Sequence, residues 1–292
     1  MKTAFLSTLL FLMSSCNNKT TDSSAKNNSS EGSESLETPS STKIHKDKTT
    51  IKERFPAPDG YEYSTARPSS FAEYIESFPL KAYGSPILKY DGTEIATQHL
   101  HEAIFDIDTG TKDLQQCADA IIRLRAEYLF ELKKYDEIKF HFTSGDLMTW
   151  NDYKNGTRAF VNGNSVQFRK TENFDDSREN FRKYLDLVFN YAGTISLNKE
   201  TKPVLNMGDL KTGDILITAG SPGHIVFIAG VSENQKGEKL FLLAEGFTPA
   251  QSIHLLKNPF DKEISPWYHL DVNAAETKTA RYFFKPTNFR SF

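Results

Sequence analysis

The sequence predicts an α+β fold in which a cysteine-bearing helix packs on a small antiparallel β-sheet within a single domain. Three observations predict it. The clearest helical periodicity, carried by Leu114, Ala118, Ile121, Ile122, Arg125, Tyr128, Leu129 and Leu132, lies in the first half of the chain. Three apolar, strand-like runs, at 214–218, 224–231 and 239–245, crowd together late, separated by glycine-rich or polar turns. No internal repeat and no second linker divides the remainder, so helices first and strands later read as one α+β unit.

The chain opens with Lys2, an apolar run over 4–13 broken only by Ser7 and Thr8, and then Ser14, Ser15 and Cys16. That run is too short to cross a bilayer as a finished helix and fits the apolar core of a signal peptide. Its small-small-Cys ending resembles the lipobox of bacterial lipoproteins, with Met13 where that pattern usually has Leu. The resemblance implies that residues 1–16 are a lipoprotein signal peptide and that Cys16 carries acyl chains such as palmitate. Two or three such chains hold a protein on a membrane, whereas one does not. Residues 17–50 are almost wholly Asn, Ser, Thr, Lys, Glu and Asp, with Leu36 and Ile44 the only large aliphatics. Such a stretch buries too little surface to offset the entropy of ordering, so a disordered tether is expected. From Ile51 the aromatics become dense, and residues 51–292 are long enough for one sizeable core. A net charge of -3 with both signs interspersed points away from nucleic acid.

Within the domain, a proline-punctuated entry at 55–61 leads to a short helix at about 70–78, and runs at 87–90 and 99–107 have strand content with Asp91-Gly92 as a turn between them. The cysteine helix follows Asp108-Thr109-Gly110, with Asp113 as its expected N-cap and Gln116 completing a capping box. A strand at 138–143 and a loop around Gly145 precede a hairpin, 158–161 against 165–169, about Asn162-Gly163-Asn164. A second helix runs from a cap at Asp176, with Glu179 at the reciprocal position, through Phe181, Tyr184, Leu185, Val188 and Phe189 to a stop at Gly193. The three strands follow.

Cysteine arithmetic raises the question of chemistry. The chain has two Cys, and if Cys16 bears lipid, Cys117 is left without an intramolecular partner in an oxidising compartment. Cys117 is then either a small buried hydrophobe or a nucleophile. It falls in the first turn of its helix, where unpaired amides and the macrodipole favour a thiolate. A thiol nucleophile needs a base oriented by a third polar group. Of seven His, His224 is best placed, opening an apolar strand directly after Gly220-Ser221-Pro222-Gly223, whereas His101, His141 and His254 sit in ordinary patterns and read as structural or surface residues. A hairpin centred on Asn234-Gln235 sets His224 opposite Glu245, and a bulge at Gly237 would make the two diagonal neighbours. Gln115, Gln116 and the Cys117 amide are candidate oxyanion donors, with capping as the alternative for Gln116. No zinc-type ligand spacing occurs, and no metal or cofactor is expected. Arg125 reads as a buried ion-pair partner of Glu127 or Asp119, with anion binding as the alternative. Trp267, Tyr268 and Phe247 read as core, or as the walls of a sugar or peptide groove.

Two resemblances bear on these residues. The run Gly213-Asp-Ile-Leu-Ile-Thr-Ala-Gly-Ser-Pro-Gly-His-Ile-Val-Phe-Ile-Ala-Gly230 resembles the "Gly-Asp, strand, Gly-His, strand" block of NlpC-type and CHAP cysteine peptidases and amidases. In those, a helix-start Cys, that strand His and a polar residue on the next strand cut cell-wall peptides. The resemblance implies a papain-like arrangement, although the Cys117 to His224 interval is longer than usual and Cys117 lacks an Asp-Cys-Ser-Gly context. A longer resemblance covers nearly all of 51–290. The segments Asp113-Leu-Gln-Gln-Cys-Ala-Asp-Ala120 with Arg123-Leu-Arg-Ala-Glu-Tyr128, Tyr191-Ala-Gly-Thr-Ile-Ser-Leu197, Ser221-Pro-Gly-His224, Pro249-Ala-Gln251 and Ser265-Pro-Trp-Tyr268 are similar to an uncharacterised domain family of lipoproteins from the Bacteroides phylum. That family supplies no assigned activity and implies Gln where this chain has Glu245. No acidic run follows Cys16, so the expected location is the outer membrane's periplasmic face. The expected activity is thiol hydrolysis of amide bonds in cell-wall peptides, with Cys117 attacking, His224 as base and Glu245 orienting it. Its partners are the membrane, through Cys16, and peptidoglycan. A non-catalytic envelope-binding or assembly lipoprotein on the same framework, and a thiol acyltransferase, are the alternatives.

Overall fold

The late strands are apolar at nearly every position because both faces of their sheet are covered. In the computed structural model, which describes residues 42–285 and 288–292, strands β1 (His101–Ile104), β2 (Lys202–Pro203), β3 (Ile215–Thr218), β4 (His224–Asn234), β5 (Lys239–Glu245), β6 (His254–Leu256) and β7 (Phe289–Ser291) join antiparallel in the order β1-β6-β5-β4-β3-β7-β2. Tyr61–Tyr63 adds to β4 and Trp267–Tyr268 to β5, making nine strands. Side chains alternate along β4: Ile225, Phe227 and Ala229 enter one core, Val226, Ile228 and Val231 the other. The first core is closed by helix α1 (Cys117–Glu131) through Ala118, Ile121 and Leu124, together with helix α2 (Arg178–Tyr191) through Phe181 and Leu185. The second is closed by Leu270, Val272, Phe284 and Phe289.

The fold is therefore a mixture of helix and a large antiparallel sheet, and the sheet is not small. Its outer members are two- to four-residue strands recruited from distant parts of the chain, too short to show a period of two. Of the expected early strands, β1 forms, while 87–90 makes only isolated bridges, Leu88 to Glu94 and Lys89 to Gln251. The expected hairpin forms between Thr157–Asn162 and Ser165–Lys170, with Asn162 opposite Ser165.

Two helix starts differ from expectation. Gln116, not Asp113, caps α1, because the Asp119 carboxylate reaches back to the Gln116 N–H at 3.0 Å. Asp113 instead accepts from the Gln116 side chain at 3.0 Å and from the Ala250 N–H at 2.7 Å. Ser177, not Asp176, caps α2, accepting from the Asn180 N–H at 3.2 Å. After α2, Gly193 opens helix α3 (Thr194–Glu200) as its N-cap.

The signal peptide, Cys16 and residues 17–41 of the expected tether lie outside the described residues. Residues 42–50 already belong to the domain: Thr42 Oγ1 donates to the Ser265 carbonyl, Leu80 N–H donates to the Thr49 carbonyl, and Ile44 packs on the first core. Trp267 and Tyr268 are core residues, with 0% and 2% exposure, and neither lines the Cys117 cleft, although Tyr268 borders a separate cavity of about 380 Å³.

Two-sided burial makes adjacent residues of β4 equally costly to truncate. Phe227→Ala and Ile228→Ala, which face opposite cores, should each lower the unfolding free energy by about 2–5 kcal/mol in urea titrations. A near-neutral result at either position would mean that its face is solvated.

Candidate active site

His224 and Glu245 meet diagonally across β4 and β5. Leu242 faces Gly230 and Leu243 faces Ile228, so the bulge takes in Ala229 rather than Gly237. Continued, this register puts Glu245 opposite Val226, with His224 two residues further along the same face, within reach of a side-chain contact. The His224 Nε2 and Glu245 Oε2 are 2.8 Å apart, at 3% and 0% residue exposure. Backbone pairing sets His254 of β6 directly opposite Glu245. Its Nδ1–H donates to the Ser252 carbonyl at 2.9 Å, and its Nε2 lies 3.4 Å from Glu245 Oε1. Arg281 Nε stands 3.7 Å from the same oxygen. These three atoms are buried without a hydrogen-bond partner among the described residues, so the carboxylate is held on that side by charge rather than by closed hydrogen bonds.

Two buried carboxyls show what such partners do. Burial alone drives the Asp119 carboxyl up to about 8, in spite of the N–H groups of Gln116 and Asp119. Burial acts on Glu245 in the same direction, yet the hydrogen bond of His224 and the charges of His254 and His224 overcome it and hold this carboxyl down at about 2. For His224, burial favours the neutral ring, but hydrogen bonding to Cys117 and Glu245, with the charge of Glu245, raises it to about 9.

Cys117 is the first residue of α1, half-buried and a free thiol. It adjoins the His224 ring. Because Nε2 is engaged by Glu245, Nδ1 is the nitrogen left to meet the sulfur. The Cys117 N–H, in the unpaired first turn, has no backbone acceptor among the described residues. Gly246 sets the spacing between helix and strand: a Cβ there would lie 2.8 Å from the Gln116 carbonyl and 2.9 Å from the Ala120 Cβ. Only a glycine lets the end of β5 touch the start of α1.

A cleft of about 580 Å³ opens over this group, lined by Gln116, Cys117, Phe189, His224, Phe247 and Tyr282. The Phe247 and Tyr282 rings lie 5.1 and 4.9 Å from the His224 ring. The loop before His224 is pinned to α3, where Thr194 Oγ1 bonds both the N–H and the carbonyl of Gly220 at 3.2 Å.

The sequence-predicted residues separate here. Cys117, His224 and Glu245 come together, and Gln116 lines the cleft while bonded to Asp113 and Thr248. Gln115 does not join them. It is 1% exposed, its Oε1 accepts from Arg123 at 3.0 Å and its Nε2 donates to the Asp108 carbonyl at 3.3 Å, so its donor faces the Arg123 network instead of an oxyanion. Cys16 lies outside the described residues. His254, Arg281 and Tyr282 were missed. A strand pairing with Glu245 would have exposed His254, while nothing local to the sequence marks the other two.

The chain belongs to the family described as domain of unknown function (4846), which matches residues 51–291. No curated protein and no solved structure matches it.

Three measurements test this geometry. A Cβ at Gly223 would lie 2.5 Å from Thr194 Oγ1 and 2.7–2.8 Å from the carbonyls of Gly220 and Thr218. Gly223→Ala should therefore cost about 1–3 kcal/mol of stability, read as a lower urea midpoint. An unchanged midpoint would show that the loop yields freely. In NMR titrations His224 should have its midpoint near 9, and Glu245→Gln should bring it back toward 6.5. The raised His224 contributes stability fully below about 6.5 that is lost as pH climbs through 9, and the depressed Glu245 contributes stability above about 4.5 that is lost as pH drops toward 2. Unfolding free energy should thus plateau between these limits, with Glu245→Gln flattening both flanks. A His224 midpoint indifferent to Glu245→Gln would refute the coupling.

Proposed function

We propose that this member of the domain of unknown function (4846) family is a lipid-anchored thiol hydrolase of the bacterial envelope, on a papain-like arrangement of helix and sheet, cutting amide bonds in peptidoglycan stem peptides. The observation that carries this reading is a helix-start thiol beside a histidine whose far nitrogen is held by a fully buried carboxylate, opening on a cleft.

In this reading the Cys117 proton rests on His224 Nδ1 below about pH 9, and the thiolate attacks the amide carbonyl carbon, forming a C–S bond and an oxyanion. The Cys117 N–H is the donor best placed for that oxyanion, with the Gln116 amide at the rim. His224 then returns the proton to the leaving nitrogen as the C–N bond breaks. A water, deprotonated by His224, attacks the thioester, and the acid product and free thiol are released. Glu245 holds Nε2–H throughout, fixing the ring's orientation and stabilising the imidazolium. The acyl chains of Cys16 hold the catalytic domain at the outer membrane's periplasmic face, beside its substrate.

Incubation with purified peptidoglycan should release soluble peptides, and Cys117→Ala should reduce that release by about 10⁴-fold or more. Below about pH 9 His224 carries the proton that the leaving group needs, so the rate should fall as pH rises past that value. Equal release by Cys117→Ala, or a thiol inert to alkylation near neutral pH, would defeat the hydrolase reading. Metabolic labelling with palmitate should mark the wild-type protein and not Cys16→Ser. Label persisting in Cys16→Ser would remove the anchor.

A further inference from the structure

Arg125 interrupts the apolar face of α1 and, among the described residues, has neither an ion pair nor a side-chain hydrogen bond. Its sequence-expected partners are absent or engaged elsewhere: Glu127 binds Arg123 at 2.8 Å and Arg178 at 2.6 Å, and Asp119 caps the helix start. Burial is the main influence on the guanidinium and disfavours its charge, opposed only by the more distant Glu137, Tyr128 and Glu200. Glu200 is already taken up by the N–H and ring of His141. The guanidinium carbon lies 4.6 Å from the Phe292 ring centre and 5.7 Å from that of Phe71, contacts that hold the group without satisfying its five N–H donors.

Arg125 lines a cavity of about 490 Å³ that shares no residue with the Cys117 cleft. The acids of this cavity are occupied. Asp214 binds Lys211 at 2.7 Å, Glu76 accepts from Thr212 at 2.8 Å, and Asp209 accepts from Asn206 at 3.2 Å. Two donors besides Arg125 are open to it: Arg67, whose side chain has no partner among the described residues, and the Ser64 hydroxyl, buried without one. An arginine keeps its proton even when buried and cannot relieve its charge by titrating.

We infer that this cavity binds an oxyanion, a carboxylate or phosphate group whose paired oxygens meet the Arg125 fork, with Arg67 and the Ser64 hydroxyl as further donors. The fork matches two oxygens of one group, and the flanking Phe71 and Phe292 suit an apolar body attached to it.

The test is thermal unfolding with succinate or inorganic phosphate, against sodium chloride at equal ionic strength, and needs no substrate, so its failure is separate from that of the hydrolase reading. At ten times its dissociation constant, a bound anion should raise the melting temperature by roughly 3–6 °C. Arg125→Met keeps the apolar stem and should abolish that rise while melting at or above the wild-type temperature without anion, because an unpaired charge has been removed. Arg125→Lys should show a smaller rise, lacking the fork. The proposal is overturned if neither anion stabilises the wild type, if Arg125→Met responds equally, or if Arg125→Met melts well below wild type without anion, which would assign Arg125 to packing.

Discussion

The Glu245 carboxylate has no exposed surface, and the arrangement of the candidate site follows from keeping it charged there. An ionised carboxylate taken out of water costs several kcal/mol unless cations and donors meet it. Glu245 is met on three sides, by His224 from β4, His254 from β6 and Arg281 from a loop beyond the sheet. Each comes from a different part of the chain, so the carboxylate ties two strand pairings and a loop to a single point. The same contacts fix Nε2 of His224, which leaves the other ring nitrogen for Cys117.

A point so defined needs a rigid support. With both faces of the sheet packed, β4 and β5 are clamped between two cores, and neither can slide by one residue without exchanging the two sets of side chains. Placement of the thiol is a separate matter, settled at Gly246, the residue after Glu245. The close approach of Gly246 to the Gln116 carbonyl couples the carboxylate's strand to the helix of Cys117 through one residue position. At the cleft rim, Phe247 and Tyr282 stand outside the regular strands, in the segments that follow β5 and precede β7.

This division also explains what the sequence made legible. Cys117, His224 and Glu245 were readable because each sits at the end of a long, regular element, where a helix start or strand end has a periodic neighbourhood to stand out from. The diagonal contact between His224 and Glu245 was within reach of a register argument; the bulge falls at Ala229 rather than Gly237, and the glycine beside it, Gly230, is the local residue type that marks such a position. His254 lay in a three-residue strand whose pairing with β5 has no sequence signature. Arg281 acts across a tertiary contact that no spacing encodes. Gln115 failed as an oxyanion donor because adjacent residues at a helix start point in different directions: Gln116 turns to the cleft, and Gln115 is drawn down to Arg123.

Two buried carboxyls and a half-buried guanidinium show how one fold resolves the same electrostatic problem differently. Glu245 has cations around it and stays ionised. Asp119, as deeply buried and with only N–H donors, escapes by binding a proton, at a pH near 8. A neutral carboxyl two residues from Cys117 adds no negative charge to the first turn of α1, so the helix N-terminus keeps its preference for an anion at the thiol. Arg125 has neither remedy. It lacks the acid that would neutralise it, and at neutral pH it cannot shed its proton as Asp119 gains one. Withdrawing such a charge partly from water without a partner is a standing cost to stability. That cost is removed when an anion occupies the cavity, so among these three groups Arg125 is the one whose stable form calls for a partner from outside the chain.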